Sequence, residues 1–178
     1  LRDHDEYLFV HSVNVSMLVL AQARSFGIEG DDLHAMGLAA MLHDIGKLSV
    51  PRELLRKPGK LDETEWKAMK LHPELGLWHL AQIQDSVPLA LVVSFEHHLR
   101  FDGQPYYPLL SRPRRPCLAS QFTALADTYD AICTHRAYQR AKGHAAAMEV
   151  LKQRAGSFHD PLLVGNLERV ISWHQTGT

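Results

Sequence analysis

The sequence predicts an all-α protein. Three observations carry that expectation. Apolar residues recur at helical spacing in most segments, no stretch alternates apolar and polar as a half-buried strand does, and Gly, Pro and Asp fall where helices start and stop. No internal repeat or low-complexity tract breaks the pattern. The expected architecture is a helical bundle of about seven helices with one extended loop rich in Pro and Tyr. A chain of 178 residues fits one domain, spanning 1–178, with a real core.

Taken in order, residues 6–26 form the first predicted helix. Phe9, Val10, Val13, Met17, Leu20 and Ala21 make its apolar stripe, and Gly27 stops it. His11 sits one position from that stripe, the place of a half-buried core histidine. Gly30-Asp31-Asp32 starts the second helix, with an aspartate as N-cap and acid in the first turn. Ala35, Gly37, Ala39 and Ala40 let neighbours approach it closely. This helix delivers Met41-Leu42-His43-Asp44-Ile45-Gly46-Lys47, with Gly46 closing it in the left-handed conformation. A neutral imidazole suits iron and zinc, and a carboxylate suits harder cations and can bridge two of them. Lys47 adds a mobile positive charge that could reach a phosphate.

Residues 47–60 read as a connector with one helical turn at Pro51-Arg52-Glu53-Leu54-Leu55. Asp62 and Glu65 have capping-box spacing, and Trp66, Met69 and Leu71 carry a short helix to His72. Pro73 cannot continue that helix, so a new one begins there and His72 sits at a joint, facing inward or outward. Leu75 to Ile83 is helical. Ser86 and Pro88 open a further helix, apolar nearly all round through Leu89, Leu91, Val92, Val93 and Phe95. It ends in Glu96-His97-His98. Adjacent histidines lie about 100° apart on a helix, so both reach one metal only where the helix ends.

The loop of residues 101–116 supplies such an end. It reads Asp102-Gly103-Gln104-Pro105-Tyr106-Tyr107-Pro108, then Arg112-Pro113-Arg114-Arg115-Pro116. Tyr106 and Tyr107 either stack on a base or pack down on an ordinary surface loop. The three arginines read as solubilising charge. Leu118 to Thr134 is a strong helix in which Asp127 lies among apolar neighbours, and a buried carboxylate is costly unless paired or metal-bound. Asp130, one turn on, reads as a salt bridge or cap. Residues 144–154 are amphipathic with Gly156 as a stop, and Asp160-Pro161 opens the last helix. His159 and His174 read as surface residues.

Composition narrows the functional classes. Hydrophobic residues are 46% and charged residues 22%, the balance of a water-soluble globular chain. A net charge of −1 gives no electrostatic case for DNA or an anionic membrane. No apolar run reaches the ~18 residues of a membrane span. Leu1-Arg2-Asp3-His4-Asp5 is no signal peptide and lacks an initiator methionine, so a fragment of a longer regulatory protein is expected. Cys117 and Cys133 read as buried reduced thiols, consistent with the cytoplasm. The anomaly is the 12 histidines.

The order His11, His43-Asp44, His72, His97-His98, Asp127 resembles the metal-dependent HD superfamily of phosphohydrolases. More narrowly it is similar to the HD-GYP subgroup, bacterial phosphodiesterases acting on cyclic di-GMP. The matching segments are His11-Ser12-Val13-Asn14-Val15, His43 to Lys47, His72-Pro73-Glu74-Leu75-Gly76, His97-His98 before Asp102-Gly103, and Asp127-Thr128-Tyr129-Asp130-Ala131 with Arg136 and Tyr138. Three positions depart from the family. Leu99 stands where it writes Glu, its Gly-Tyr-Pro is broken into Pro105-Tyr106-Tyr107-Pro108, and Tyr7 stands where some relatives carry a glutamate for a third metal.

The resemblance implies two divalent metals rather than three. His11, His43, Asp44 and Asp127 would hold one, and Asp44 would bridge to a second held by His72, His97 and His98. Five imidazoles favour iron, with manganese and zinc as alternatives. Such a pair, about 3.5–4 Å apart, activates a water for in-line attack on a 3′–5′ diester. Asp44 and Lys47 would be catalytic. Lys47, Asp102, Tyr106, Tyr107 and Arg136 would bind a cyclic dinucleotide. Two rivals stand beside this reading: a silent sensing or docking module whose 101–116 loop holds a partner protein, and a phosphohydrolase for another nucleotide. A homodimer is a further expectation.

Overall fold

The computed structural model describes residues 2–83, 88–104, 113–134 and 143–176. Among these there are nine α-helices and no strand. Seven are long: α1 (Arg2–Ser25), α2 (Gly30–Met41), α5 (His72–Ala81), α6 (Pro88–Glu96), α7 (Leu118–Cys133), α8 (His144–Arg154) and α9 (Pro161–Thr176). Two are short, α3 (Arg52–Leu55) and α4 (Glu63–Met69), and a 3-10 turn covers Ile45–Ser49. The expected all-α bundle is therefore what forms.

Local chemistry explains most boundaries. Gly27 at φ 78° ends α1: its N–H donates to Arg24 O at 2.9 Å and that of Ile28 to Ala23 O at 3.1 Å, the paired bonds of a left-handed C-terminal cap. Asp62 and Glu65 make the predicted capping box, each side chain accepting from the other's backbone N–H. Pro73 sits in the first turn of α5, where its missing N–H costs nothing. Asp160 Oδ1 accepts from Leu162 N at 2.8 Å at the start of α9.

α1 packs against α2 and α7, α2 against α6, and α5 against α6 and the 3-10 turn, while α8 and α9 close the bundle beside α7 and α1. Phe122, Leu80, Leu125, Leu151 and Leu167 anchor the core at no more than 1% exposed. Each contributes about 2 kcal/mol of burial.

Three local expectations are corrected. α1 buries His11, Val15, Val19 and Ala23, an i, i+4 line offset from the predicted stripe, while Phe9 and Met17 are 68% and 62% exposed. Polar residues share the buried face, which a purely apolar count discards: Ser16 Oγ donates to Gly37 O at 2.8 Å. No aspartate caps α2; its N-cap is Glu29, without a side-chain bond, and Asp31 and Asp32 stand in the first turn. Gly46 is not a left-handed stop, because the positive-φ glycines are Gly27, Gly30, Gly59, Gly103 and Gly156. α2 ends at Met41, and His43 and Asp44 lie in the turn beyond it.

Close approach is the reason for Gly46. A Cβ there would stand 1.8 Å from His72 O and 2.5 Å from Gly76 N, both backbone atoms of α5. Glycine lets the turn carrying His43 and Asp44 rest directly on the helix carrying His72. Gly46→Ala must push the two apart, and overpacking of this kind costs on the order of 2 kcal/mol or more. Gly37→Ala meets only the tip of the Leu20 side chain, at 2.8 Å, and loses less. Thermal melts of the two variants check the contrast; equal Tm values would contradict it.

Candidate metal centre

Two helix interiors and three helix ends bring the ligand-type residues together. His11 comes from α1, Asp127 from α7, His43 and Asp44 from the turn after α2, His72 from the start of α5, and His97 and His98 from the end of α6. Two groups have ligand atoms within 4.8 Å of one another, His11/His43/Asp127 and His72/His97/His98. His43/Asp44/His97 links them.

Asp44 faces both groups with different oxygens. Its Oδ2 lies 3.3 Å from His43 Nε2 and 4.0 Å from His11 Nε2. Its Oδ1 lies 3.3 Å from His72 Nε2 and 3.8 Å from His97 Nε2. His11 Nε2 is 3.2 Å from Asp127 Oδ1. Lys47 Nζ donates to Asp44 Oδ2.

The donor set fits cations. His72 gives its Nδ1–H to Met69 O at 2.8 Å and His97 gives its own to Ser94 O at 2.8 Å. Their Nε2 lone pairs then face each other at 3.3 Å, with His98 Nε2 3.2 Å from His72 Nε2. The facing lone pairs of His72 and His97 repel unless a positive charge lies between them. His43 likewise gives Nδ1–H to Ala40 O at 2.7 Å, and its buried Nε2 has no hydrogen-bond partner, nor has Asp44 Oδ1. Buried polar atoms are rarely left this way without a ligand.

Electrostatics keeps Asp44, Asp127, His72, His97 and His98 in metal-binding form, while His11 holds a proton that a cation would displace. Burial alone would raise the Asp44 carboxyl, but Lys47, His43 and His72 outweigh it and hold it well below the usual carboxylate range. Asp127 is lowered as well, against burial, by the hydrogen bond from His11 and the charge of His43. Burial, with neighbouring imidazoles, pushes His97 well below the ordinary histidine value and His98 down to about 3, and burial lowers His72. These three imidazoles are neutral at pH 7, with lone pairs available. Burial also opposes the charge on His11, yet its bonds to Asp127 and Asp130 raise it to about 9.

Asp130 forms the ion pair expected of it, and sequence reasoning missed its partner and the role of Glu96. Asp130, read as a salt bridge or cap, accepts from His11 Nδ1 at 2.6 Å. It also accepts from Asn14 Nδ2 at 2.9 Å and Thr134 Oγ1 at 3.1 Å. A carboxylate three residues after Asp127 on the same helix was the signal available. Glu96 is buried and takes bonds from Arg114 Nη2, Cys117 N and Ser120 Oγ. Arg114 is thus a structural partner, not solubilising charge, and Arg115 lies over the Phe101 ring at 4.7 Å.

His159 is 6% exposed rather than on the surface, because the turn it occupies is covered by the start of the loop: Phe101 N donates to Phe158 O and Asp102 N to Ser157 O. Asp102 spends its carboxylate on Arg100 and Gln104 N, outside the ligand groups. Both cysteines are free thiols and half-buried. Tyr106, Tyr107 and Arg136 lie outside the described residues.

The shifts set a pH dependence for the metal-free chain. His72, His97 and His98 are lowered on folding, so the unfolded chain binds more protons below pH 6.5, and stability falls as pH drops from there towards the folded value of about 3 for His98. His11 is raised, so its contribution is full below pH 6.5 and is lost as pH rises through about 9. Melts of chelator-treated protein should show a stability maximum near pH 6.5. His98→Gln should flatten the acid limb, and an unchanged acid limb would refute the assignment.

Comparisons agree with this geometry. The family model described as HD domain matches residues 1–163. A cyclic di-GMP phosphodiesterase of Pseudomonas aeruginosa, PA4108, is 33% identical over 99% of this chain and 42% of its own length. The cyclic di-GMP phosphodiesterase response regulator RpfG of Xanthomonas campestris is 34% identical over 83% of this chain and 39% of its own. A 3′3′-cGAMP-specific phosphodiesterase of Vibrio cholerae is 30% identical over 86% of this chain and 30% of its own. The chain thus spans less than half the length of these relatives.

Among solved structures, Bd1817 of Bdellovibrio bacteriovorus, described as a HDG"Y"P protein, superposes with a TM-score of 0.74 at 20% identity, covering 97% of this chain and 55% of that one. The HD domain of the phosphodiesterase PgpH of L. monocytogenes does so with a TM-score of 0.67 at 16% identity, covering 96% and 92%. These last two likenesses speak to the fold. With the family model running from the first helix into the last, through every ligand-bearing segment, the chain belongs to the HD domain family.

Proposed function

We propose that this domain hydrolyses a 3′–5′ phosphodiester of a cyclic dinucleotide, cyclic di-GMP foremost. The observation that carries the reading is the Asp44 carboxylate, whose two oxygens each face a different group of imidazoles. A one-metal or purely structural site has no use for a carboxylate shared in this way. His11, His43, Asp127 and Asp44 would hold one divalent ion, and His72, His97, His98 and Asp44 the other. Five imidazoles favour iron, with manganese and zinc as alternatives. When bound, two such ions lower the pKa of water and neutralise charge developing on a phosphate.

The chain's own residues do the rest. Asp44 sets the spacing of the two positions. Lys47, held on Asp44, brings a positive charge to the mouth of the site where a diester oxygen would approach. Arg136 would add a second, and Tyr106 or Tyr107 would stack on a guanine. No helix among the described residues is long and apolar enough to cross a membrane. A cyclic-dinucleotide substrate supports a cytoplasmic location.

A second reading has its own observation. Leu99 stands at the family's glutamate position, is 2% exposed and packs inside the protein, so the glutamate's function is not supplied from that residue. A module that keeps its metals but only binds a nucleotide or a partner protein at the 101–116 loop, alone or as a dimer, would tolerate that change. The relatives that act on 3′3′-cGAMP support a third variant, the same chemistry on another cyclic dinucleotide.

Incubation of the manganese- or iron-loaded chain under reducing conditions with cyclic di-GMP, and in parallel 3′3′-cGAMP, separates these. Chromatography should show linear dinucleotide from cyclic di-GMP. Product from neither substrate overturns the enzyme reading and leaves the binding module. Asp44→Ala should lose both activity and bound metal, since it removes a ligand from each position. Retention of two metal ions per chain in that variant contradicts the bridging role.

A further inference from the structure

The two groups of ligands are not equivalent, and the difference lies in what stands behind them. His43, His72 and His97 each give their Nδ1–H to a backbone carbonyl, of Ala40, Met69 and Ser94. His11 gives its Nδ1–H to a carboxylate, Asp130 Oδ2, at 2.6 Å. That carboxylate is itself fixed: Asn14 Nδ2 and Thr134 Oγ1 both donate to its Oδ1, which aims Oδ2 at His11. Asp130 is 5% exposed, so the interaction is little screened by water.

A carboxylate behind an imidazole fixes its tautomer and makes its far nitrogen a stronger donor. The position defined by His11, His43 and Asp127 therefore has two carboxylates beyond the shared Asp44: Asp127 beside it and Asp130 behind His11. The position defined by His72, His97 and His98 has three neutral imidazoles and shares Asp44, with Asp127 reaching it only through its charge on His98. Lys47 does not cancel the difference, because its charge bears on both sides: it bonds Asp44 and acts on His72 and His98 as well.

We infer that the two positions load in sequence, the His11 side first and more tightly, and that Asp130 is the positioning residue that sets this order. The inference rests on the reading of the two groups as a metal pair. It assigns Asp130 a function that needs no contact with substrate or metal. The same bonds clamp α1 to α7, so the helices that carry His11 and Asp127 are registered by the group that tunes them.

Calorimetric and electron paramagnetic resonance titration of the metal-free chain with Mn(II) tests it. The wild-type chain should bind two ions in separate steps. Asp130→Asn keeps the shape and removes the charge, and should weaken the tight step 10- to 100-fold while leaving the weak step in place. Asp130→Glu should recover part of the loss, and Asn14→Ala should weaken the same step by a smaller factor. His98→Gln should remove the weak step and leave a tight step that still responds to Asp130→Asn. A folded Asp130→Asn chain with both steps unchanged, or with both weakened equally, overturns the assignment while leaving the metal pair standing. A wild-type chain that binds no Mn(II) overturns the metal pair and this inference together.

Discussion

The structure depends on one carboxylate placed between two sets of imidazoles. An aspartate buried among helices is expensive, and burial alone would push Asp44 towards its neutral form. It stays charged because Lys47 bonds it and histidines surround it. The imidazoles have the converse problem. His72, His97 and His98 are buried neutral with their lone pairs facing inward. Neither set is satisfied by the other alone, since three acceptors and one shared anion leave an excess of lone pairs. The packing of the bundle accepts this conflict at its centre, and strain of that kind is the mark of a site built for a cation.

The backbone is arranged to hold the conflict in place. Gly46 lets the turn bearing Asp44 touch α5 without an intervening side chain. Gly76 leaves room for Ser94 Oγ, which donates to His43 O at 3.2 Å. Thus α6 supports the turn from one side while its own end supplies His97 and His98. α1 and α7 close from the other side through the Asp130 bonds. His11 and Asp127 sit inside α1 and α7, and the other candidate ligands sit at helix ends and turns that rest on neighbouring helices, so the site inherits the rigidity of the bundle.

Much of this was legible in the sequence, and the misses have physical causes. Helices were readable because spacing and punctuation are local properties; the Asp62–Glu65 box and Pro73 marked their boundaries directly. The candidate ligands stood out in the sequence because His and Asp in apolar surroundings are costly without a role. The inward face of α1 was not, since hydrophobicity alone favoured Phe9 and Met17 over a line containing His11 and bounded by Ser16 and Gln22. Gly46 misled because a glycine after a helix signals either a left-handed cap or a close contact, and only tertiary packing distinguishes them. The partners of Asp130 and Glu96 were hidden for a related reason: they lie up to 119 and 18 to 24 positions away in sequence.

Glu96 carries the last step. It directly precedes His97-His98, and its buried carboxylate collects Arg114 from the far end of the 101–116 segment and the Cys117 N–H and Ser120 hydroxyl from the start of α7. Arg114 N also donates to Gly103 O at 3.2 Å, so the two ends of that segment meet. At the near end, Phe101 and Asp102 are bonded to the 157–158 turn. The base of the loop is therefore fixed to the same helix end that presents the second set of imidazoles. Among the described residues this mounting runs through Phe101, Asp102, Gly103, Arg114, Cys117 and Ser120, and the Leu99 side chain has no part in these bonds. The departures at Tyr7, Leu99 and Pro105-Tyr106-Tyr107-Pro108 leave all seven candidate ligand residues in place.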